Sequence, residues 1–249
     1  MKILISGLCG RMGREVAALC KSGVRGATLV CGVDSAAVGA ECVPCAASFE
    51  TADPMDADCI IDFSHHSLTH DLLTFAKKHR LPLVLATTGH TQAETEEIKA
   101  AAAEIPLFWA ANFSLGVALL IELAQKAVRT MPEAEIEIVE KHHSGKVDAP
   151  SGTALAIAEA IREVRPQATL LCGRSGQGKR PHDEIGIHAV RMGGIVGEHE
   201  VLLSTPSQTI TLKHEAHSRA LFAEGALAAA AYLIGRTAGL YNMKDLLRA

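Results

Sequence analysis

Apolar and polar positions follow two different rhythms along this chain. In its first part, short solid apolar runs recur, each followed by a small-residue turn. They are Lys2 to Ser6, Thr28 to Val33, Asp58 to Ser64, Leu83 to Ala86 and Pro106 to Ala110. Segments with helical spacing lie between them, at Arg14 to Lys21, Leu68 to His79 and about Gln92 to Glu104. Unbroken apolar runs of this length suit strands covered on both faces, and their alternation with helices predicts a parallel sheet. From Gly116 the rhythm changes. A helix over about Val117 to Arg129 leads into runs of period two: Ala134 to Val139, Ile185 to Arg191, Glu198 to Leu203 and Thr209 to His214. Such alternation marks an open sheet with one face against its helices, and oligomerisation is the simplest cover for the other. The alanine-rich run Phe222 to Gly235 predicts a final helix that returns to the first domain.

The first strand runs into Gly7-Leu8-Cys9-Gly10-Arg11-Met12-Gly13. Strand, glycine turn and helix in that order form the mount for a dinucleotide pyrophosphate. Gly7 serves the tight exit from the strand, Gly10 the close approach of backbone to phosphate, and Gly13 the packing of the helix. The spacing is G-x-x-G-x-x-G, so the commoner G-x-G-x-x-G is met only at its last two glycines. The second strand then ends in Asp34, about 20 residues on, where an acid accepts hydrogen bonds from the adenosine ribose. Asp34 is followed by Ser35, Ala36 and Ala37 rather than by Arg or Lys, which favours NADH over NADPH, although Arg11 could meet a phosphate. Asp34 can also be read as a helix cap or turn residue. Ligands in such sheets bind beyond the carboxyl ends of the strands, so Phe63, Thr87, Thr88, Asn112 and Phe113 are expected to border the nicotinamide. The fold class is therefore α/β, a Rossmann-type parallel-sheet domain (1–113 with 222–249) plus an α+β domain (114–221) with an open mixed sheet used for oligomerisation.

The densest chemistry lies at Glu140 to Ala154, EKHHSGKVDAPSGTA, between the first alternating strand and a helical run from Ala154 to Val164. A helix beginning at Ser151 or Gly152 leaves the N–H groups of Gly152 and Thr153 free for a carboxylate or phosphate. His142, His143 and Lys146 can supply protons and positive charge to the same ligand. Adjacent histidines are also common in plain solvated loops, and a zinc site lacks further ligands at a suitable spacing. His65 and His66 read as a solvated helix start. The segment Gly173 to His182, GRSGQGKRPH, is a candidate mobile loop whose Arg174, Lys179 and Arg180 could attract an anionic substrate.

Composition narrows the function. The 249 residues are 48% hydrophobic with a net charge of −4, enough for one large or two smaller cores and no basic surface for nucleic acid. No apolar run reaches the roughly 18 residues of a membrane span, and the pattern from MKILISG onward lacks signal-peptide features, so a cytoplasmic location is expected. Seven scattered cysteines form no disulfide framework. Cys42 and Cys45 make a C-x-x-C without a second pair, and no metal is expected.

GLCGRMG, ATTG, AANFSLGV, EKHHSGKVDAPSGTA and RMGGIVGEHEV together resemble the 4-hydroxy-tetrahydrodipicolinate reductases (dihydrodipicolinate reductases) of lysine biosynthesis through the diaminopimelate route. The likeness runs through nearly the whole chain, and H-H-x-x-K-x-D-A-P-S-G-T is specific to that family. It implies a homotetrameric NAD(P)H-dependent oxidoreductase acting on a cyclic dicarboxylate. It also implies that Gly7, Leu8, Cys9, Gly10, Arg11, Met12, Asp34, Ala86, Thr87, Thr88, Ala110, Ala111, Asn112 and Phe113 contact the cofactor. His142 and Lys146 would be catalytic, and His143, Gly152 and Thr153 would bind substrate. Leu8 and Ala86 stand where many members have alanine and glycine, and Leu8 is expected to add bulk beside the pyrophosphate turn. Another two-domain nicotinamide dehydrogenase would share the glycine turn without needing the DAPSGT loop, and a non-catalytic dinucleotide sensor would have no use for His142 and Lys146.

Overall fold

The computed structural model describes residues 1–36 and 43–249; Ala37 and Cys42 lie outside them. In chain order the strands are β1 (Lys2–Ser6), β2 (Thr28–Val33), β3 (Cys45–Ala46), β4 (Cys59–Asp62), β5 (Leu83–Leu85), β6 (Pro106–Trp109), β7 (Glu135–His142), β8 (Thr169–Cys172), β9 (Glu184–Arg191), β10 (Gly197–Thr205), β11 (Gln208–Ala216) and β12 (Gly239–Tyr241). The α-helices are α1 (Arg11–Lys21), α2 (Thr69–His79), α3 (Gln92–Ala101), α4 (Leu115–Thr130), α5 (Gly152–Val164), α6 (Ala220–Leu233) and α7 (Met243–Leu247). Contacts divide the chain into one unit of Met1–Leu115 with Arg219–Ala249 and a second of Gly116–Ser218.

The first unit is a seven-stranded sheet in the order β12-β6-β5-β4-β1-β2-β3, with every pairing parallel. The order reverses between β1 and β4, the point at which such sheets bind ligands beyond their carboxyl ends. Two apolar clusters cover the sheet. One gathers Ile3, Ile5, Val16, Ile61, Val84 and Phe108 with Ala226, Leu227, Ala230 and Leu233 of α6; the other gathers Leu4, Ile60, Leu83, Leu85, Leu72 and Ile98. Successive strand residues point to opposite faces, so the unbroken apolar run Ile3-Leu4-Ile5 feeds both clusters at once. Helix α6 is apolar apart from the exposed Glu224, as suits a helix largely buried in a core, and Gly225 lets it lie against the Phe113 backbone, where a Cβ would come within 1.7 Å of the carbonyl oxygen. The Leu240–Tyr241 tail pairs with β6 as the edge strand β12.

The second unit is a five-stranded mixed sheet in the order β11-β10-β7-β9-β8, antiparallel across β11-β10-β7 and parallel across β7-β9-β8. Its inner face packs Ile136, Ile138, Ile185, Ile187, Val201 and Leu203 against Leu120, Ala124 and Val128 of α4 and Ile157 and Ile161 of α5. The outer face is polar, with Lys141 and Lys213 both paired to Glu198 and Glu200.

Candidate functional site

In the first unit the chain leaves β1 through Gly7 at φ +79°, a left-handed conformation that favours glycine. A Cβ there would also meet the Phe63 carbonyl at 2.7 Å. Gly13 is the tighter position: its Cβ would fall 2.1 Å from the Gly7 oxygen and 2.8 Å from the Leu8 Cα, so α1 lies directly on the turn. Gly10 caps α1 with no side-chain acceptor for the first N–H groups, which leaves them available to an anion. Asp34 stands beside the turn, its Oδ2 accepting the Cys9 N–H at 2.9 Å and its Oδ1 the Ala36 N–H at 2.8 Å.

Two cavities flank this turn. One of about 320 Å³ is lined by Gly7, Gly10, Asp34, Ser35, Phe63 and His65 among others, and one of about 330 Å³ by Arg11, Met12, Phe63, Ala86, Asn112 and Phe113 among others. Phe63 borders both. Size and glycine cradle fit a dinucleotide. Ala111 also lines the second cavity, together with Arg219 and Phe222, which no local pattern marks because they lie far along the chain. Other expected contacts are placed differently. The Leu8 side chain is buried, turned towards Gly32, where a Cβ would meet it at 2.4 Å, so its bulk goes into the core rather than over the turn. Ala110 packs on the core beneath the cavity. Thr87 is buried and donates to Asp62 at 2.5 Å, while Thr88 is exposed; neither borders either cavity. Burial pushes the Asp62 carboxyl up, against hydrogen bonds from Ser64, Thr87 and Ser6 that favour its ionised form.

In the second unit the alternation of β7 sets the chemistry. Ile136, Ile138, Glu140 and His142 all point inward, so the apolar row becomes polar at the strand's carboxyl end. Glu140 is wholly buried. Its carboxylate takes a two-pronged hydrogen bond from Arg191 (2.8 and 2.9 Å), one from the Ser151 N–H (3.1 Å), and lies 2.5 Å from His142 Nδ1. Burial alone would raise this carboxyl, but Arg191, His142 and Ser151 together hold it below its ordinary value. Directly across the ladder from Glu140 stands His199, its Nε2 3.1 Å from Ser151 Oγ and its ring edge-on to His142 at 5.2 Å between centroids.

Ser151 caps α5, its Oγ accepting the Ala154 N–H at 3.2 Å. Gly152 is exposed, and a Cβ on it would meet nothing within 4 Å. Thr153 follows in the first turn, half-buried. Lys146 Nζ lies 2.7 Å from Asp148. The Asp148 carboxyl is held below its usual value, chiefly by that ammonium and in smaller part by the Gly152 N–H, with burial opposing. The His143 N–H donates to Ile195 at 2.7 Å, which joins the loop to the segment entering β10. His142, His143, Lys146, Gly152 and Thr153 thus share one loop and one helix start. Glu140, Ser151, Arg191 and His199 complete it; only Glu140 and Ser151 lie in the conspicuous stretch.

Burial holds His199 near pKa 4, with the neighbouring His142 adding to the shift. A histidine that charges at about 6.5 when unfolded and near 4 when folded leaves stability intact above pH 6.5 and removes it between 6.5 and 4, by about 3 kcal/mol at most. Urea unfolding of the second unit is therefore expected to lose about 2 kcal/mol from pH 7 to pH 5 through this group, and His199→Phe should flatten that slope.

The two arginines of the basic segment after β8 are not free cations. Arg174 pairs with Glu184 and Glu137, and Arg180 binds Glu137 (3.0 Å) and the main-chain oxygens of Ile136 and Glu184. These anchors lie at the amino end of β7, about 20 Å along the strand from His142 at about 3.3 Å per residue. The charges balance a carboxylate cluster, with His188 also 2.8 Å from Glu137. Cys45 Sγ lies 4.0 Å from the Ala46 carbonyl oxygen, and no group of three or more His, Cys, Asp or Glu among the described residues could hold a metal ion.

Comparison with known proteins adds the following. A family model described as dihydrodipicolinate reductase, N-terminus, matches residues 1–113, and the corresponding C-terminus model matches residues 116–247. A 4-hydroxy-tetrahydrodipicolinate reductase from Caldanaerobacter subterraneus subsp. tengcongensis is 43% identical over 250 residues, covering 100% of this chain and 98% of the relative. One from Akkermansia muciniphila is 40% identical over 252 residues, covering 99% and 98%. Among solved structures, a dipicolinate-bound dihydrodipicolinate reductase from Paenisporosarcina sp. TG-14 superposes with a TM-score of 0.82 at 25% identity, over 97% of both chains. A scyllo-inositol dehydrogenase from Lactobacillus casei with bound NAD(H) and scyllo-inositol shares the fold at a TM-score of 0.58 and 13% identity, over 100% of this chain and 93% of its own.

Proposed function

The chain belongs to the dihydrodipicolinate reductase family, and from that premise we propose that it reduces 4-hydroxy-tetrahydrodipicolinate to tetrahydrodipicolinate with NAD(P)H, on the diaminopimelate route to lysine. The observation that carries the reading is the loop from Glu140 to Thr153, where a carboxylate-paired histidine, an ammonium and a helix start stand together in a form suited to a dicarboxylate. The division of labour follows the two units, with Met1–Leu115 and Arg219–Ala249 taking the dinucleotide and Gly116–Ser218 the substrate and the oligomer contact.

A bound nicotinamide dinucleotide supplies the hydride. Gly7, Cys9, Gly10, Arg11, Met12, Ala86, Ala111, Asn112 and Phe113 line or form its cradle, with Thr87, Thr88, Ala110 and the Leu8 backbone supporting it. Asp34 takes the adenosine ribose hydroxyls. Ser35 and Ala36 next to it offer no charge to a 2′-phosphate, which supports NADH as the preferred cofactor. Gly152 and Thr153 N–H groups and His143 hold substrate carboxylate, so that orientation converts hydride transfer into an effectively unimolecular step. Loss of the 4-hydroxyl as water leaves a conjugated imine; as hydride adds to the ring carbon conjugated with it and electron density moves towards the ring nitrogen, the Lys146 ammonium supplies the proton there, and His142 gives or takes a proton in the same cycle. The polar outer face of β7, β9, β10 and β11 is the surface for a homotetramer in the cytoplasm.

The test is oxidation of NADH and NADPH by the purified protein, with unstable substrate made in place by dihydrodipicolinate synthase from pyruvate and aspartate semialdehyde. Oxidation that needs the complete mixture, faster with NADH, is expected. Cofactor binding without oxidation, beside an active coupling enzyme, would sink the reductase reading.

A further inference from the structure

The residues around His142 carry more than the loop sequence does. The imidazole has two nitrogens with different surroundings. Nδ1 faces the buried Glu140 carboxylate at 2.5 Å. Nε2 faces Gly197, where a Cβ would stand 3.0 Å away, closer than side chains normally come. Glu140 is tied on its other sides by both prongs of Arg191 and by the Ser151 N–H, and Arg191 also donates to the Asp148 carbonyl at 2.5 Å. The end of β7, the end of β9 and the first residues of α5 are thus fixed on one carboxylate.

We propose that Glu140 and Arg191 are positioning residues that hold His142 as the Nδ1–H tautomer, and that Gly197 keeps Nε2 clear, so that every proton His142 exchanges moves at Nε2. The inference rests on the reading of His142 as the proton-handling histidine. Three donors and the imidazole converge on one acceptor group, and a carboxylate is acceptor-only. With Nδ1–H committed to Glu140, an incoming proton enters at Nε2 and the same nitrogen gives it up, while Nδ1 keeps its hydrogen. Acting through another residue in this way, an outer partner fixes tautomer and ring orientation.

Glu140→Gln puts an NH₂ where one of the two oxygens was. That NH₂ must oppose either His142 Nδ1–H or the Ser151 N–H, and a prong of Arg191 in both cases. The variant is expected to lose about 10²-fold in kcat, between the losses for an outer partner of a positioned histidine and for a wrong tautomer. KM for the coupled substrate and affinity for dipicolinate should change far less. Nitrogen-15 spectra of His142 should show Nδ1–H in the wild type and a shift towards Nε2–H in the variant. Gly197→Ala leaves Glu140 intact and crowds only Nε2. It should also lower kcat, with the Nδ1–H signature retained. If Glu140→Gln fails to fold, Arg191→Lys, which keeps the charge without the fork, carries the same kcat-against-KM test. Wild-type turnover in Gly197→Ala, a wild type that carries its proton on Nε2 of His142, or unchanged kcat in a folded Glu140→Gln or Arg191→Lys, would overturn the inference. Absence of turnover in the wild type with the Nδ1–H signature present would count against the functional reading instead.

Discussion

Lys146→Ala should lower kcat by about 10² to 10⁴-fold, the range for a lost proton-transfer group, and leave NADH affinity as it was. The glycine turn, Asp34 and both cavities that fit a dinucleotide belong to the first unit, whereas Lys146 belongs to the second. A loss that spares cofactor binding is therefore the signature of a group acting on substrate. KM should rise as well, because removal of the ammonium leaves Asp148 uncompensated beside the Gly152 N–H that a substrate carboxylate would use. Steady-state kinetics on the coupled mixture and a fluorescence titration with NADH separate the two effects. An equal fall in NADH binding would contradict the assignment of Lys146 as proton donor.

Gly13→Ala should destabilise the first unit by about 3 kcal/mol or more, an overpacking cost at the upper end because the new methyl meets backbone rather than a side chain that could turn away. The methyl would need room already taken by the Gly7 oxygen and the Leu8 Cα. Gly10→Ala makes the informative contrast. Its Cβ meets only the Gly7 oxygen, at 3.2 Å, so the variant should fold and lose cofactor affinity instead. Thermal unfolding and NADH titration of the two variants then distinguish a glycine required by helix packing from one required by approach of a phosphate. Near-normal stability in Gly13→Ala would mean that α1 can shift off the turn.

That contrast also shows how far local pattern reaches. The glycine turn is legible because each glycine answers a short-range need, and the runs Lys2 to Ser6 and Thr28 to Val33 match their strands because both their faces are covered. The strand ending at Val139 by pattern continues to His142 in the structure. Glu140, Lys141 and His142 look like loop residues until Arg191 and Glu198 arrive from strands more than fifty positions away and pair with Glu140 and Lys141. Residues Thr169 to Cys172 form β8, an edge strand too short and too mixed to signal itself. Arg174 and Arg180 read as a substrate-attracting surface because sequence shows their charge but not Glu137 and Glu184, which neutralise it across the sheet. Leu8 reads as bulk at the phosphate because a turn residue's direction depends on what lies behind it, here the bare face of Gly32.

The placement of α6 bears on how the chain is made. Ala223, Ala226, Leu227, Ala230 and Leu233 belong to the same cluster as Ile3, Ile5 and Ile61, yet the whole second unit is synthesised between them. At about 5–20 residues per second, the ribosome spends several seconds or more on the Gly116–Ser218 unit before the N-terminal sheet receives its last wall. Until then that face of the sheet has α1 on it but lacks α6. The second unit, continuous in sequence, can fold as it emerges; the first, although begun earlier, is completed later, and nascent chains stalled between the two points are the ones for which a chaperone holding apolar surface would matter most.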